Sequence, residues 1–125
     1  GYSGEGYQIR DILNINDFCN IILNQITNFN IFENDVYNLG GGNKNKISLF
    51  NLNKLCEKIY KKKMSINKVK KNRYGDIPYY VSDNSKIIKK LGWRPKISVD
   101  ETVYEINSWI KNNINLINKI LWKIQ

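Results

Sequence analysis

Histidine is absent from this sequence, and cysteine, proline and arginine are scarce. The 125 residues include no histidine, two cysteines and two prolines. The sequence also has no CxxC pair and no cluster of carboxylates at ligand spacing. A zinc site or a histidine general base would need those residues. These absences exclude two broad classes of enzyme.

Long apolar runs are also missing. The longest, such as 21–23, extend over a few residues and are interrupted by Asn, Lys or Asp, whereas a membrane-spanning helix needs about 20 apolar residues. We therefore expect no membrane partner and a cytoplasmic location. The chain opens at Gly1 and not at Met, and it lacks the pattern of a secretory signal. We expect it to begin within a longer protein.

The length allows one small domain, residues 1–125, with a modest core. Cys19 and Cys56 fall on separate predicted helices among apolar neighbours. This pattern favours buried free thiols over a disulfide or a metal pair.

The formal net charge is +9, and the excess is concentrated between Lys44 and Arg73, where Glu57 is the one acidic residue. A basic stretch of this kind could bind nucleotides or nucleic acid. However, lysine far outnumbers arginine, and Asn and Ile are over-used throughout, as an AT-rich genome would encode on any solvated surface. We therefore expect a solvated basic face, and nucleic acid is the alternative partner.

Hydrophobic periodicity and turn residues predict an α/β, or α+β-like, chain of short strands and about five helices. Strands are predicted at 7–13, 35–39, 64–69 and 78–81. Helices are predicted to follow caps at Asn14 or Asn16, at Ser48, at Asp83 or Asn84, and at Ser98, with a helical tail over 112–125. The residues expected to face inward are Phe18, Ile21, Ile22 and Ile26; Leu52, Leu55, Cys56 and Ile59; Ile87, Ile88 and Leu91; and Val103, Ile106 and Ile110.

The triple glycine 40–42 is the one candidate for a phosphate-binding loop. A dinucleotide fingerprint needs a third glycine at a fixed step, and position 45 is Asn. We therefore interpret the glycines as a turn. A Tyr-x-x-x-Lys pair, in which the ammonium lowers the pKa of the phenol, is likewise absent, because none of the eight tyrosines has Lys four residues later. No catalytic residue is predicted.

Arginine occurs at three positions, Arg10, Arg73 and Arg94. A planar guanidinium can bind two phosphate oxygens at once, so Arg10 and Arg73 are candidate phosphate ligands. The alternative is ordinary surface ion pairs, for instance Arg10 with Asp11 or Asp17 and Arg73 with Asp76. Arg94, which follows Trp93, is expected to cover the indole ring.

Several stretches resemble motifs of the extended short-chain dehydrogenase/reductases, the NAD-dependent sugar-nucleotide epimerases and dehydratases. Residues 8–17, QIRDILNIND, resemble their Q-x-R-D-x-(I/L)-H-V-x-D segment, and 36–42, VYNLGGG, resemble V-(F/Y)-N-(V/L)-G-G-G. The stretches RYGDIP at 73–78, YVSDNSK at 80–86 and LGWRP at 91–95 are similar to their R-x-(G/A)-D, D-x-x-K and L-G-W-x-P segments. Within the family, SLFNLNKLC at 48–56 and WIKNN at 109–113 resemble the CDP-paratose 2-epimerase branch.

The resemblance implies a C-terminal, substrate-binding region without the Rossmann half that would bind NAD. Arg10 and Arg73 would hold the diphosphate of a nucleotide sugar, a CDP-hexose in the branch named above. Asp76 would bind ribose or orient Arg73, and Tyr80 would line the nucleotide pocket. Other epimerases and 4,6-dehydratases of the family are alternatives. The complete enzyme would be a homo-oligomer, and polysaccharide synthesis is its usual setting.

The resemblance also assigns structural residues and two departures. Asp83 would cap a helix, and Trp93 would anchor a buried turn. Asn14 stands where the family usually has His, and Asn16 where an acidic residue is common.

Overall fold

The computed structural model describes residues 4–32, 34–64, 66–69 and 74–121. This part of the chain contains two strands and six α-helices. In chain order they are β1 (Ile9–Asp11), α1 (Ile15–Thr27), α2 (Phe29–Phe32), β2 (Lys46–Ser48), α3 (Leu49–Tyr60), α4 (Ser85–Leu91), α5 (Val99–Asn112) and α6 (Ile114–Leu121). The predicted mixture of short strands and helices is confirmed, and α6 lies in the predicted helical tail.

β1 is the centre of the small sheet. It pairs antiparallel with β2, in a register that places Arg10 opposite Ile47. On the other side of β1, an isolated parallel bridge joins Ile9 to Tyr79. The predicted strand at 7–13 is therefore shorter than expected, the one at 78–81 is reduced to a bridge, and β2 was not predicted.

Two other strand predictions are wrong for the residues that the structure describes. The segment 35–39 pairs with no other described strand, and neither do 64 and 66–69. β-branched and aromatic residues favour an extended backbone, but a strand also needs a hydrogen-bonded neighbour. The sequence pattern indicates a preference for an extended backbone, but it does not show whether a neighbouring strand is present.

Side-chain caps fix where three of the six described α-helices begin. Asn14 accepts a backbone N–H at the start of α1, and Ser48 does the same for α3. Ser98 and Glu101 form the predicted capping box of α5. Asn84 precedes α4 without a side-chain capping bond. These local polar signals place helix starts well because they depend on neighbours in the sequence.

The core is small. Ile21, Phe32 and Ile87 form its buried cluster, and partly buried hydrophobic side chains pack against it, Trp93 among them. The inward-face predictions are therefore wrong in part, because three expected core residues are substantially exposed: Phe18 at 40%, Ile26 at 69% and Ile106 at 50%. Cys19 and Cys56 are free thiols as predicted, but Cys19 is exposed and Cys56 half-buried.

Helices α1 and α2 leave a wide apolar surface uncovered, which we call the α1–α2 apolar face. Each of its side chains is at least 40% exposed. They are Ile15, Phe18, Leu23, Ile26, Phe29 and Ile31. Exposed apolar patches of this kind mark interaction surfaces. None of the helices within the described ranges is long and apolar enough to cross a membrane.

Two buried polar side chains tie the start of α1 to the loop before α5 and to α5 itself. Asp17, which is 3% exposed, accepts the backbone N–H groups of Lys96 and Ile97, each at 2.9 Å. Asn14, which is 2% exposed, donates to Thr102 and Glu105 on α5 at 3.1 and 2.8 Å. Asn14, one of the two departures from the family pattern, thus has a structural role here.

Candidate functional site

Arg10 and Asp76 form an ion pair although 66 positions separate them. Nη2 of Arg10 lies 3.3 Å from Oδ1 of Asp76, and Nη1 donates to the carbonyl oxygen of Ile9 at 2.7 Å. The side chains are 41% and 19% exposed. The alternative of an ion pair for Arg10 is therefore correct in kind, but the expected partners, Asp11 or Asp17, are wrong. The bridge at Tyr79 brings the loop containing Asp76 against β1 instead.

Tyr80 is held beside the same strand. Its N–H donates to the carbonyl oxygen of Ile9 at 3.1 Å, while the N–H of Ile9 donates to that of Pro78 at 2.9 Å. The side chain of Tyr80 is 53% exposed. Three predicted site residues, Arg10, Asp76 and Tyr80, therefore meet at β1. The fourth, Arg73, lies outside the described residues.

The glycines at 40–42 form a tightly packed turn. The N–H of Gly40 donates to Oδ1 of Asn84 at 3.1 Å, and the N–H of Gly42 donates to Oδ2 of Asp11 at 2.8 Å. A Cβ on Gly41 would lie 2.1 Å from the carbonyl oxygen of Ile12. These two N–H groups are used by the protein's own side chains, which supports the turn interpretation over a phosphate-binding loop.

Asp11 and Asn84 fix this turn, a role that the sequence pattern did not predict for either residue. Oδ2 of Asp11 also accepts the N–H of Ser82 at 3.2 Å. Burial acts to raise the pKa of Asp11, but the hydrogen bonds from Gly42 and Ser82 outweigh it and hold that pKa below its ordinary value. Asn84 donates back to the carbonyl oxygen of Gly40 at 2.8 Å. The only indication of these roles in the sequence was that Asp11 and Asn84 lie within stretches that resemble the family motifs, 8–17 and 80–86.

The other residues singled out in the sequence, Trp93, Asp83 and Arg94, lie outside the Arg10–Asp76 ion pair. Trp93 packs against the core cluster. Asp83 accepts the N–H of Ser85 at 2.8 Å, and this bond lowers the pKa of its carboxyl group. Arg94 is exposed and makes no cation–π contact with Trp93 in the described structure, so the expected cover of the indole is wrong.

Two clefts border this region. The larger, about 630 Å³, lies between the glycine turn and the loop 79–85, with Lys44 and Arg94 in its lining. It does not include Arg10, Asp76 or Tyr80. The second, about 540 Å³, lies between residues 4–8, the first half of α3 and the segment 64–69, and Gln8 lines it. The described residues contain no group of three or more side chains able to hold a metal ion.

Comparisons with known proteins point in one direction. The family model described as GDP-mannose 4,6 dehydratase matches residues 1–106. The chain is 30% identical over 107 residues to CDP-paratose 2-epimerase of Salmonella typhi, covering 86% of this chain and 31% of that protein. It is 33% identical over 117 residues to UDP-glucuronate 4-epimerase of Thermodesulfobacterium geofontis, covering 94% and 35%.

A solved structure gives the same picture. UDP-glucose 4-epimerase from Bifidobacterium longum, in complex with NAD+ and UDP, superimposes with a TM-score of 0.69 at 25% identity, covering 91% of this chain and 35% of that one. The chain therefore spans about a third of the length of the relatives that it matches.

Proposed function

Because this chain belongs to the GDP-mannose 4,6 dehydratase family, among the extended short-chain epimerases and dehydratases of sugar nucleotides, we propose that it binds the nucleotide-diphosphate part of such a substrate. The activity belongs to the longer enzyme of which it forms the C-terminal, substrate-binding part. No catalytic residue is assigned to the chain.

The Arg10–Asp76 pair carries this proposal. A guanidinium has five N–H donors in a planar fork, which suits two oxygens of a phosphate. Two contacts, to Ile9 and Asp76, orient the fork and leave further donors for a ligand. The group is partly exposed, so a diphosphate can reach it. Arg73, three positions before Asp76 in the sequence, is proposed as the second phosphate ligand.

Asp76 and Tyr80 complete the proposed site. Asp76 is the less exposed partner of the ion pair and can accept a ribose hydroxyl with the carboxylate oxygen that Arg10 does not contact. The half-exposed ring of Tyr80 lies one residue beyond the bridge to β1 and offers an apolar surface to the nucleotide.

Binding of the nucleotide has a catalytic purpose, because energy from a remote part of the substrate orients the sugar that reacts. NAD, when bound, supplies the hydride chemistry of the family. We propose that it is bound outside this chain. Gly40 and Gly42 direct their N–H groups to Asn84 and Asp11, which leaves the glycine turn unsuited to a cofactor phosphate.

The α1–α2 apolar face supports a larger assembly. The chain spans about a third of the length of its relatives, so a family-length polypeptide would contain further surface able to pack on this face. We propose that the remainder of a family-length polypeptide covers this face and pairs with the extended segment 35–39. We also propose that the complete enzyme is a homo-oligomer.

For the substrate, we propose a CDP-hexose and 2-epimerisation, supported by the likeness to CDP-paratose 2-epimerase. The second candidate is a UDP-sugar 4-epimerase, which the identity to UDP-glucuronate 4-epimerase favours. The affinities of the chain for CDP and UDP, compared by calorimetry, discriminate between them.

The test of the diphosphate site is Arg10→Ala in this chain. Loss of a charged hydrogen bond of about 1.5–3 kcal/mol predicts that CDP and UDP bind roughly 10- to 150-fold more weakly. Arg10→Lys keeps the charge but not the fork and should lose less. Arg94→Ala, an exposed arginine in the other cleft, is the matched control. Equal effects of Arg10→Ala and Arg94→Ala would refute the assignment.

Salt dependence tests the nucleic-acid alternative. A basic surface that contacts many phosphates loses affinity steeply as salt rises. A site for one diphosphate should instead depend chiefly on Arg10 and Arg73. Tight, steeply salt-dependent binding of single-stranded oligonucleotides that survives Arg10→Ala would favour the nucleic-acid alternative.

A further inference from the structure

The two C-terminal helices present an apolar surface of their own, apart from the α1–α2 apolar face. Its side chains follow one another at alternating steps of three and four positions, and we call them the α5–α6 seam: Ile106, Trp109, Asn113, Leu116 and Ile120. Each of the four apolar members is at least 50% exposed. Alternating steps of three and four are the spacing of the a and d positions at which helices of a coiled coil pack together. The spacing and the exposure together indicate a helical partner.

Backbone hydrogen bonds continue the helical pattern across the junction of α5 and α6. The N–H of Asn113 donates to the carbonyl oxygen of Trp109, and the N–H of Ile117 donates to that of Asn113, both at 3.0 Å. Each is an α-helical bond to the residue four positions earlier. Within the described structure, α5 is the main element that α6 contacts. The seam therefore runs along both helices on a side open to a partner.

The seam itself carries no charge. Between positions 106 and 121 the charged residues are Lys111 and Lys119, and both lie outside the a and d positions. A second copy can therefore meet the seam without placing like charges opposite each other at these positions. The whole chain has a formal net charge of +9, so repulsion between two copies should weaken as salt rises.

Asn113 lies at the middle of the seam, at an a position, and favours one orientation. In a parallel pair in register it meets the same residue of the other copy, and the two amides can bond to each other. In an antiparallel pair it would face an apolar side chain at d. Its Nδ2 donates one hydrogen to the carbonyl oxygen of Trp109 at 2.8 Å, and the amide has a second hydrogen to donate. A single Asn at an a position is known to specify register and oligomeric state.

From these observations we infer that a second copy of this chain packs on the α5–α6 seam, with the two helix pairs parallel and in register. The same residues then contribute from both copies, as two-fold symmetry requires. The inference rests on the homo-oligomer under the proposed function and names its contact. It is independent of the diphosphate site.

Disulfide crosslinking tests the pairing by position. In a background of Cys19→Ser and Cys56→Ser, Leu116→Cys places a thiol at a d position, which meets itself only in a parallel pair. Asn118→Cys, on the polar side of α6, is the matched control and is also exposed. Under mild oxidation the Leu116→Cys chain should form a linked dimer roughly tenfold faster than the control, because pairing holds the two thiols close together.

Sedimentation gives an independent measurement in the native-cysteine chain. Leu116→Glu should weaken the dimer about tenfold or more, because each copy would bring an unpaired charge into the seam. Asn118→Glu makes the same change of charge outside the seam and should leave the dissociation constant unchanged. The α1–α2 apolar face is intact in both variants, so the difference between them reports the seam alone. Raising the salt concentration should strengthen the parent dimer.

The outcomes distinguish the possible partners of the seam. Equal crosslinking at positions 116 and 118, or equal dissociation constants for the two Glu variants, would overturn the seam contact and leave a homo-oligomer formed elsewhere. A parent chain that stays monomeric would overturn the pairing itself. Salt-sensitive binding to vesicles of phosphatidylcholine and phosphatidylserine that is lost in Leu116→Glu, without crosslinking of Leu116→Cys, would overturn it in favour of a membrane surface. None of these results bears on Arg10, which nucleotide binding tests.

Discussion

Replacing Asp17 should remove much of the folding free energy of this protein. The carboxylate is 3% exposed, and its Oδ2 accepts the N–H groups of Lys96 and Ile97, both at 2.9 Å. A hydrogen bond to a charged group contributes about 1.5–3 kcal/mol, so the two together contribute roughly 3–6 kcal/mol. Domains of this size are stable by only about 5–15 kcal/mol. Asp17→Ala should therefore leave the chain close to unfolding.

A graded pair of substitutions separates charge from packing. In Asp17→Asn the amide oxygen can still accept both N–H groups, but the bonds become neutral and weaken by about 1 kcal/mol each. We expect a loss of about 2 kcal/mol, intermediate between the parent and Asp17→Ala. The measurement is urea unfolding followed by far-ultraviolet circular dichroism at pH 7.

Asp100→Ala is the control, because Asp100 is an exposed acid in the first turn of α5. It should cost no more than about 1 kcal/mol through the helix dipole. If Asp17→Ala lowered the free energy of unfolding no more than this control does, the two hydrogen bonds of Asp17 would not contribute the stability assigned to them. Equal losses for Asp17→Asn and Asp17→Ala would show that charge, and not the acceptor geometry, accounts for the stability.

Three further predictions concern the turn, the pH dependence and the exposed face. Gly41→Ala should prevent cooperative folding, because its Cβ would lie 2.1 Å from a backbone oxygen. Gly75→Ala is the control, because a Cβ there meets nothing within 4 Å and should cost only the roughly 1–2 kcal/mol of its positive φ. Thermal melts followed by circular dichroism measure both effects. Because the folded pKa of Asp11 lies below its ordinary value, its stabilisation is present above about pH 4 and is lost as pH falls through the folded pKa. The difference in unfolding free energy between the parent and Asp11→Asn should therefore become smaller as the pH is lowered. Urea unfolding at several pH values measures this difference, and a constant value would contradict the prediction. The α1–α2 apolar face should make the purified chain dimerise or aggregate in analytical ultracentrifugation. A monodisperse monomer over a range of protein concentrations would contradict this.

Helix starts were predictable because their signals are local. Asn14, Ser48 and the capping box of Ser98 with Glu101 cap their helices as predicted. Which apolar side chains are buried was less predictable. Phe18 lies three positions before Ile21, and Ile26 four positions after Ile22, yet among Phe18, Ile21 and Ile26 only Ile21 is buried. Periodicity identifies an apolar face, but burial depends on what packs against it.

The strand predictions were wrong for a related reason. The segment 35–39 has strand-like residues but no paired neighbour within the described residues. β2 was missed because it has only three residues and the last of them, Ser48, is also the cap of α3. Pairing joins distant parts of the chain. Residue type does not encode which partner is present.

Motif order alone indicated the family by resemblance, and that resemblance named Arg10, Arg73, Asp76 and Tyr80 as site residues. Residue chemistry by itself indicated only the two arginines, because a planar guanidinium can bind two phosphate oxygens. Tertiary structure alone decided that Arg10 pairs with Asp76 and that Asp11 and Asn84 hold the glycine turn. It alone left the buried Oε1 of Gln8 without a hydrogen-bond partner in the described structure. These contacts span between 31 and 66 positions, and only the folded chain brings such residues within hydrogen-bonding distance.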